Sequence, residues 1–151
     1  MRWRRLLLTA AGGLLFVYAV AYVDLTLRAR HAYLEGEKYM QWAREPALKK
    51  AALDAELASQ EADLRAQAAK EAWPAEKLDQ RLYLARFDHD SRMKESSLKY
   101  AYVWYRTAIE LFTPPESKWV VLCRQRAPVA KELWKKELDA QKIPYKDYML
   151  E

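Results

Sequence analysis

The sequence is short of glycine. Only Gly12, Gly13 and Gly36 occur, so none follows in the remaining three quarters of the chain. Primed β-hairpins, glycine-capped helix ends and phosphate cradles all use positions that glycine fills at the lowest cost. Neither G-x-x-x-x-G-K-[ST] nor G-x-G-x-x-G can be written, which excludes nucleotide sites of those two kinds. Cysteine is scarcer still. Cys123 stands alone, so an intramolecular disulfide is impossible and C-x-x-C zinc, thioredoxin and c-haem motifs are absent. Within "WVVLC" it reads as a small buried apolar residue, not as a reactive thiol.

Histidine is nearly missing as well, with only His31 and His89. Neither has a glutamate three residues before it, which closes the Glu-x-x-His route to a di-metal site in a helical bundle. Asp88, His89 and Asp90 are consecutive, and on a helix such neighbours point about 100° apart. They cannot converge on one ion and read as solvated surface. Side-chain catalysis needs a nucleophile with its base, a carboxylate pair in a pocket, or a metal. No such constellation is laid out. The expectation is a protein that is not an enzyme and takes no cofactor, metal or small-molecule substrate.

Charge and apolar residues are plentiful: 52% of the chain is hydrophobic and 31% is charged, a balance that suits amphipathic helices better than a disordered tail. The formal charge of +5 overstates the basicity of the body. Of 26 bases and 21 acids, three bases (Arg2, Arg4, Arg5) and one acid (Asp24) precede Arg28, leaving +3 beyond it. Those charges alternate in sign, as on a solvated helix surface, and form no basic face for nucleic acid.

The N-terminus carries the longest apolar run, Leu6 to Val23, with 18 residues and no charge. As a helix it is roughly 27 Å long against a hydrocarbon core of about 30 Å. Leu25 and Leu27 extend it if Asp24 snorkels to the interface, and Trp3 and Tyr22 suit the two aromatic belts. Ala19-Val20-Ala21 is also a small-x-small triplet that a signal peptidase cuts. Yet the polar step that precedes such a cut is missing, so a retained anchor is the expectation. Basic residues flank the run evenly, Arg2, Arg4 and Arg5 before it and Arg28, Arg30 and Lys38 after it. The tighter N-terminal cluster favours an N-terminus inside and a body outside.

Proline punctuates the rest, at 46, 74, 114–115, 128 and 144, each favouring a first helical turn and disfavouring helix just before it. Residues 46–73 carry two heptad series, Leu48, Ala55, Ala62, Ala69 and Ala52, Ser59, Ala66, Trp73, offset by four. That spacing suits a seam of small residues against a second helix, flanked by Leu53, Leu57 and Leu64. Residues 74–112 are expected as one long helix. Its last part, "LKYAYVWYRTAIELF", sets Leu98, Tyr102, Tyr105, Ile109 and Phe112 in steps of 4, 3, 4, 3, with Ala101, Trp104, Ala108 and Leu111 alongside. Such a helix is either the centre of the core or, through its Tyr and Trp anchors, a protein-docking or membrane-surface face. "TPPE" predicts a helix start, with Thr113 as cap, Pro114 at the first position and Glu116 closing a capping box. The following helix holds Trp119, Leu122 and Cys123, and Pro128 is expected to kink or restart it. Leu133, Trp134 and Leu138 line the last segment, and a short apolar tail ends with Tyr145, Tyr148, Met149 and Leu150.

The sequence therefore predicts an all-α protein, with an N-terminal transmembrane helix followed by long, proline-punctuated helices in a hairpin or bundle of coiled-coil character. The expected segments are 1–27 (anchor, or signal peptide), 28–45 (juxtamembrane helix), 46–112 (helical hairpin) and 113–151 (C-terminal helices and tail). Its expected role is a membrane-anchored scaffold or accessory subunit of a membrane or envelope complex. The alternative is a soluble exported adaptor or chaperone released at Ala21. Membrane lipid and other protein subunits, in a homo- or hetero-oligomer, are the expected partners, and nucleic acid is not. Candidate partner contacts are Ala55, Ala62, Ala69, Trp73, Tyr102, Trp104, Tyr105, Ile109, Phe112, Trp119, Trp134 and Tyr148. The leucine-, alanine- and arginine-rich composition fits a bacterial inner membrane with a periplasmic body, and a mitochondrial inner-membrane subunit would look similar.

Overall fold

The computed structural model describes residues 2–150, and the side chains of all of these except residues 2 and 4–8. The side chains of the Arg2, Arg4, Arg5 cluster thus lie outside the described residues. Among the described residues there are five α-helices and no strand: α1 (Arg2–Arg44), α2 (Pro46–Glu71), α3 (Ala75–Lys94), α4 (Ser97–Leu111) and α5 (Lys118–Ala140). A 3-10 turn, Asp147–Leu150, follows near the C-terminus. The all-α expectation holds, with one long apolar helix at the N-terminus.

The chain divides into two compact units, one of residues 41–97 and the other of residues 1–40 with 98–151. The first is an antiparallel hairpin of α2 and α3. Pro46 occupies the first turn of α2, where its missing N–H costs nothing. The packed stripe is leucine-rich: Leu53 and Ala68 are buried and Leu57 and Leu64 half-buried on α2, against buried Leu82 and Ala85 on α3. The alanine heptads do not form this seam. Ala55, Ala62 and Ala69 are all exposed. Leu64 and Ala55 are nine residues apart, which at 100° per residue is half a turn, so the two stripes occupy opposite faces of one helix. The larger side chains won because burial stabilises in proportion to apolar area, and alanine offers little.

The ends of the hairpin are held by polar chemistry. Lys49 is buried, and its ammonium donates to the carbonyls of Met93 (3.1 Å) and Glu95 (2.6 Å), at the C-terminal end of α3. A cation there satisfies carbonyls that have no intrahelical donor and faces the negative end of the helix dipole. At the other end α2 stops at Ala72, which adopts a left-handed conformation (φ 51°, ψ 51°), while the Trp73 N–H reaches back to the Ala68 carbonyl at 3.0 Å. Glycine usually takes this position. None is available, and alanine bears the strain. Lys142 does the same beyond α5, at φ 56°.

In the second unit, residues 29–40 of α1 pack with α4 and α5. Ala29, Ala32, Gly36 and Met40 on α1, Ala101, Tyr105 and Ala108 on α4, and Val120, Cys123, Ala127, Ala130 and Trp134 on α5 are the buried positions. Their three- and four-residue steps are those of one helix face. Tyr39 lies beside Tyr100 and Gly36 against Tyr105, so α4 runs antiparallel to α1; Tyr33 lies beside Trp119 and Glu37 pairs with Arg126, so α5 runs parallel to it.

Two expected helix boundaries move. Residues 74–112 are not one helix, because Glu95 is extended (φ −70°, ψ 144°) and separates α3 from α4. "TPPE" is not a helix start either. Each proline disfavours helix in the residue before it, which pushes both Thr113 and Pro114 out of the helical region. α5 begins at Lys118, with Ser117 as its N-cap (φ −71°, ψ 159°) accepting from the Val120 N–H. Pro128 lies inside α5 without ending it.

Candidate functional site

Two features of α1 dominate the surface: what its first half exposes and what its second half holds. From Leu14 to Val23 the large apolar residues stand outward, with Leu14 76%, Phe16 69% and Tyr18 69% exposed. The segment from Thr9 meets a span criterion by length and hydropathy and buries none of its apolar window. It continues without a break into the face that carries Ala29, Ala32 and Gly36.

Further along, Tyr105 fills the space that Gly36 leaves. A β-carbon at position 36 would sit 2.3 Å from Cε1 of the Tyr105 ring. Tyr105 is fully buried, and its hydroxyl donates to Glu37 Oε1 at 2.8 Å. Arg126 of α5 pairs with the same oxygen at 3.0 Å. Burial, then the hydrogen bond to the Glu37 carboxylate, pushes the Tyr105 phenol well above its ordinary range. Cys123 is buried beside this group, and burial followed by the Glu37 charge pushes its thiol up to about 12. Neither group ionises near neutral pH. The cluster thus ties three helices together through one carboxylate.

The hairpin has its own polar cluster. His89, half-buried on α3, has Nε2 3.0 Å from Asp54 Oδ1 on α2 and Nδ1 3.0 Å from Asp90 Oδ1. The hydrogen bond to Asp90 comes first, and that to Asp54 adds to it, in raising the His89 pKa. Hydrogen bonds from Lys50 and then His89 hold Asp54 below its usual range. The Asp88-His89-Asp90 stretch is therefore a half-buried bridge at His89 and not wholly solvated surface. Among the described residues no three of His, Cys, Asp and Glu gather to hold a metal.

The candidate contact residues fall into three groups. Ala55, Ala62, Ala69 and Tyr148 are exposed. Trp73, Tyr102, Trp104, Ile109, Phe112 and Trp119 are half-buried, and Tyr102, Trp104, Ile109 and Phe112 pack on the core of the second unit. Tyr105 and Trp134 are buried within the chain and are core residues, unavailable to a partner in this conformation. The aromatic helix thus packs into the core of the second unit through Ala101, Tyr105 and Ala108, the first of its three readings. Sequence reading passed over Tyr83, Leu84 and Phe87, which stand outward on α3 at 66%, 50% and 60% exposure. Tyr83 and Phe87 stack on each other with ring centroids 6.5 Å apart, the i, i+4 spacing that marks one face of a helix.

No protein-family profile, curated protein or solved structure shows significant similarity to this chain.

Proposed function

We propose that this chain is a single-pass, membrane-anchored helical scaffold or accessory subunit of a membrane complex, with its N-terminus on the inner side and its helical body outside. One observation carries the reading. An outward-facing apolar segment is continuous, within α1, with a helix that contributes Ala32 and Met40 to the core of a folded unit. The eight leucine, valine and aromatic residues between Leu14 and Val23, each 45–76% exposed, are far more than a soluble monomer exposes in one place, and a bilayer covers them at a favourable free energy. Cleavage after Ala21 would fall in the interior of α1. The body offers helix faces for contact: the alanine stripe of α2, which admits a close neighbouring helix, and the Tyr83, Leu84, Phe87 patch of α3.

The anchor is tested by alkaline extraction of membranes and by the intact mass of the chain recovered from them. A pellet-bound chain beginning before Leu6 is expected, and a soluble chain beginning at Tyr22 overturns the reading in favour of a released adaptor. For the scaffold, a photo-crosslinking residue is placed at Ala62 or at Phe87 in cells. A discrete adduct is expected from at least one position, and its absence from both refutes a partner on either face.

A further inference from the structure

Within the second unit the packing register fixes which end of the bundle faces the apolar half of α1. Tyr39 stacks on Tyr100 and Gly36 abuts Tyr105, so α4 descends along α1 towards lower residue numbers. Continued at the same rise, Leu111 lies level with about Arg28 to Arg30. On α5, the Trp119 ring meets Tyr33 at 5.6 Å and the Arg30 guanidinium at 5.8 Å. The α4–α5 loop, residues 112–117, is therefore at the end of the unit where the apolar segment stops.

We propose that this loop is a second membrane contact, seating the three-helix unit on the bilayer interface beside its own anchor. The proposal rests on the anchor reading. If the hydrocarbon edge lies at Leu27, the headgroup layer on that side, about 5–7 Å deep, spans roughly the next four residues of α1. Leu111 falls at that level and is 67% exposed, while Leu27 beside it in height is 56% exposed. Pro114 is exposed too, and Phe112 and Trp119 are half-buried behind them. The charges suit the same depth. Arg28, Arg30 and Lys118 are exposed, and the Lys118 ammonium lies 4.7 Å from the centre of the Trp119 ring. The acids at this end are partnered, Asp24 by Arg28 at 2.7 Å and Glu116 by Arg124. Aromatic rings backed by Lys and Arg, with aliphatic tips below them, are the composition of a protein surface at the headgroup boundary.

Single cysteines at Leu111, Pro114, Val17 and Val129 carry a nitroxide in the full chain, reconstituted in phosphatidylcholine–phosphatidylglycerol vesicles. Buried Cys123, with its thiol pushed up to about 12, stays unlabelled, which the unsubstituted chain checks. Collisions with oxygen and with a water-soluble nickel chelate report depth. Val17 is expected to be rich in oxygen contact and shielded from nickel. Leu111→Cys and Pro114→Cys should be several-fold less accessible to nickel than Val129→Cys, with oxygen contact retained. Equal nickel access at 111, 114 and 129, with 17 still in lipid, overturns the loop contact and leaves the anchor standing. Shielding of 111 and 114 from both reagents marks burial against protein and overturns the proposal in favour of a second chain. Nickel access at Val17 overturns the anchor, and this proposal with it.

Discussion

Replacing Gly36 by alanine is the most discriminating perturbation of the second unit. In an unpacked helix the change is favourable, by about 1 kcal/mol, because glycine loses more backbone entropy. Here the added carbon would stand 2.3, 2.7 and 2.8 Å from Cε1, Cδ1 and Cζ of Tyr105. Carbon atoms prefer about 3.5–4.0 Å, so ring or helix must move by about an ångström. The ring has little freedom, since it is fully buried and its hydroxyl is bonded to Glu37. Overpacking of this kind costs about 1–3 kcal/mol, and loss of a hydrogen bond to a charged group costs about 1.5–3 more. Less the helix gain of about 1 kcal/mol, the net expectation is destabilisation by about 1.5–5 kcal/mol, read from urea unfolding of the full chain in mild detergent by near-ultraviolet circular dichroism. The decisive control is Tyr105→Val, which deletes the obstructing atoms. In that background Gly36→Ala should stabilise, and the coupling between the two changes should be at least about 2.5 kcal/mol, at the upper end of the range for residues in direct contact. The same sign in both backgrounds would refute the idea that Gly36 exists to admit the ring.

Lys49→Met keeps the stem but removes the donor to the Met93 and Glu95 carbonyls, and should destabilise the hairpin by about 1.5–3 kcal/mol in a denaturant titration; an unchanged midpoint would show that water replaces the ammonium without loss. The hairpin should also weaken as pH rises above 6.5. The folded His89 pKa is raised above its ordinary 6.5, so its contribution is complete below 6.5 and is lost as pH climbs through the higher folded value. Asp54 acts at the opposite end, its contribution present above the ordinary 3.8 and lost as pH falls through its depressed value. Melting curves from pH 5 to 9 should decline at the alkaline end, and His89→Gln should flatten that decline; an identical decline in the variant would assign it elsewhere. Ala72→Gly should stabilise the hairpin by about 1 kcal/mol by relieving the left-handed alanine, and a loss of melting temperature would contradict that source of strain.

The helical class was legible because proline and periodicity speak directly of local backbone. Pro46 opens α2 as its fixed φ dictates. The choice between faces was less legible. Two stripes run along α2, and a heptad rule finds the alanines as readily as the leucines. Only the area each can bury separates them, and Leu53, Leu57 and Leu64 take the interior. The break between α3 and α4 has neither glycine nor proline. Its trace is the Ser96-Ser97 pair, residues that compete with helix through their own side-chain hydrogen bonds. Lys49 and Glu37 read as surface charges, since nothing local distinguishes them from their neighbours. Their partners are 44 and 68 residues away in sequence, and burial of that kind is a property of tertiary packing. Gly36 was counted among a scarcity, but the ring it accommodates is just as distant.

α1 carries one more consequence. Residues 9–23 and 29–40 belong to a single uninterrupted helix, with no loop or proline between them. A stiff rod of this kind has no joint at which one half can turn without the other. Each residue's worth of axial rotation, about 100°, would carry the Ala29, Ala32, Gly36 face off its neighbours by the same angle. The bundle and the apolar segment therefore share one rotational coordinate. Anything that fixes the azimuth of one half fixes the direction in which the other presents its surfaces.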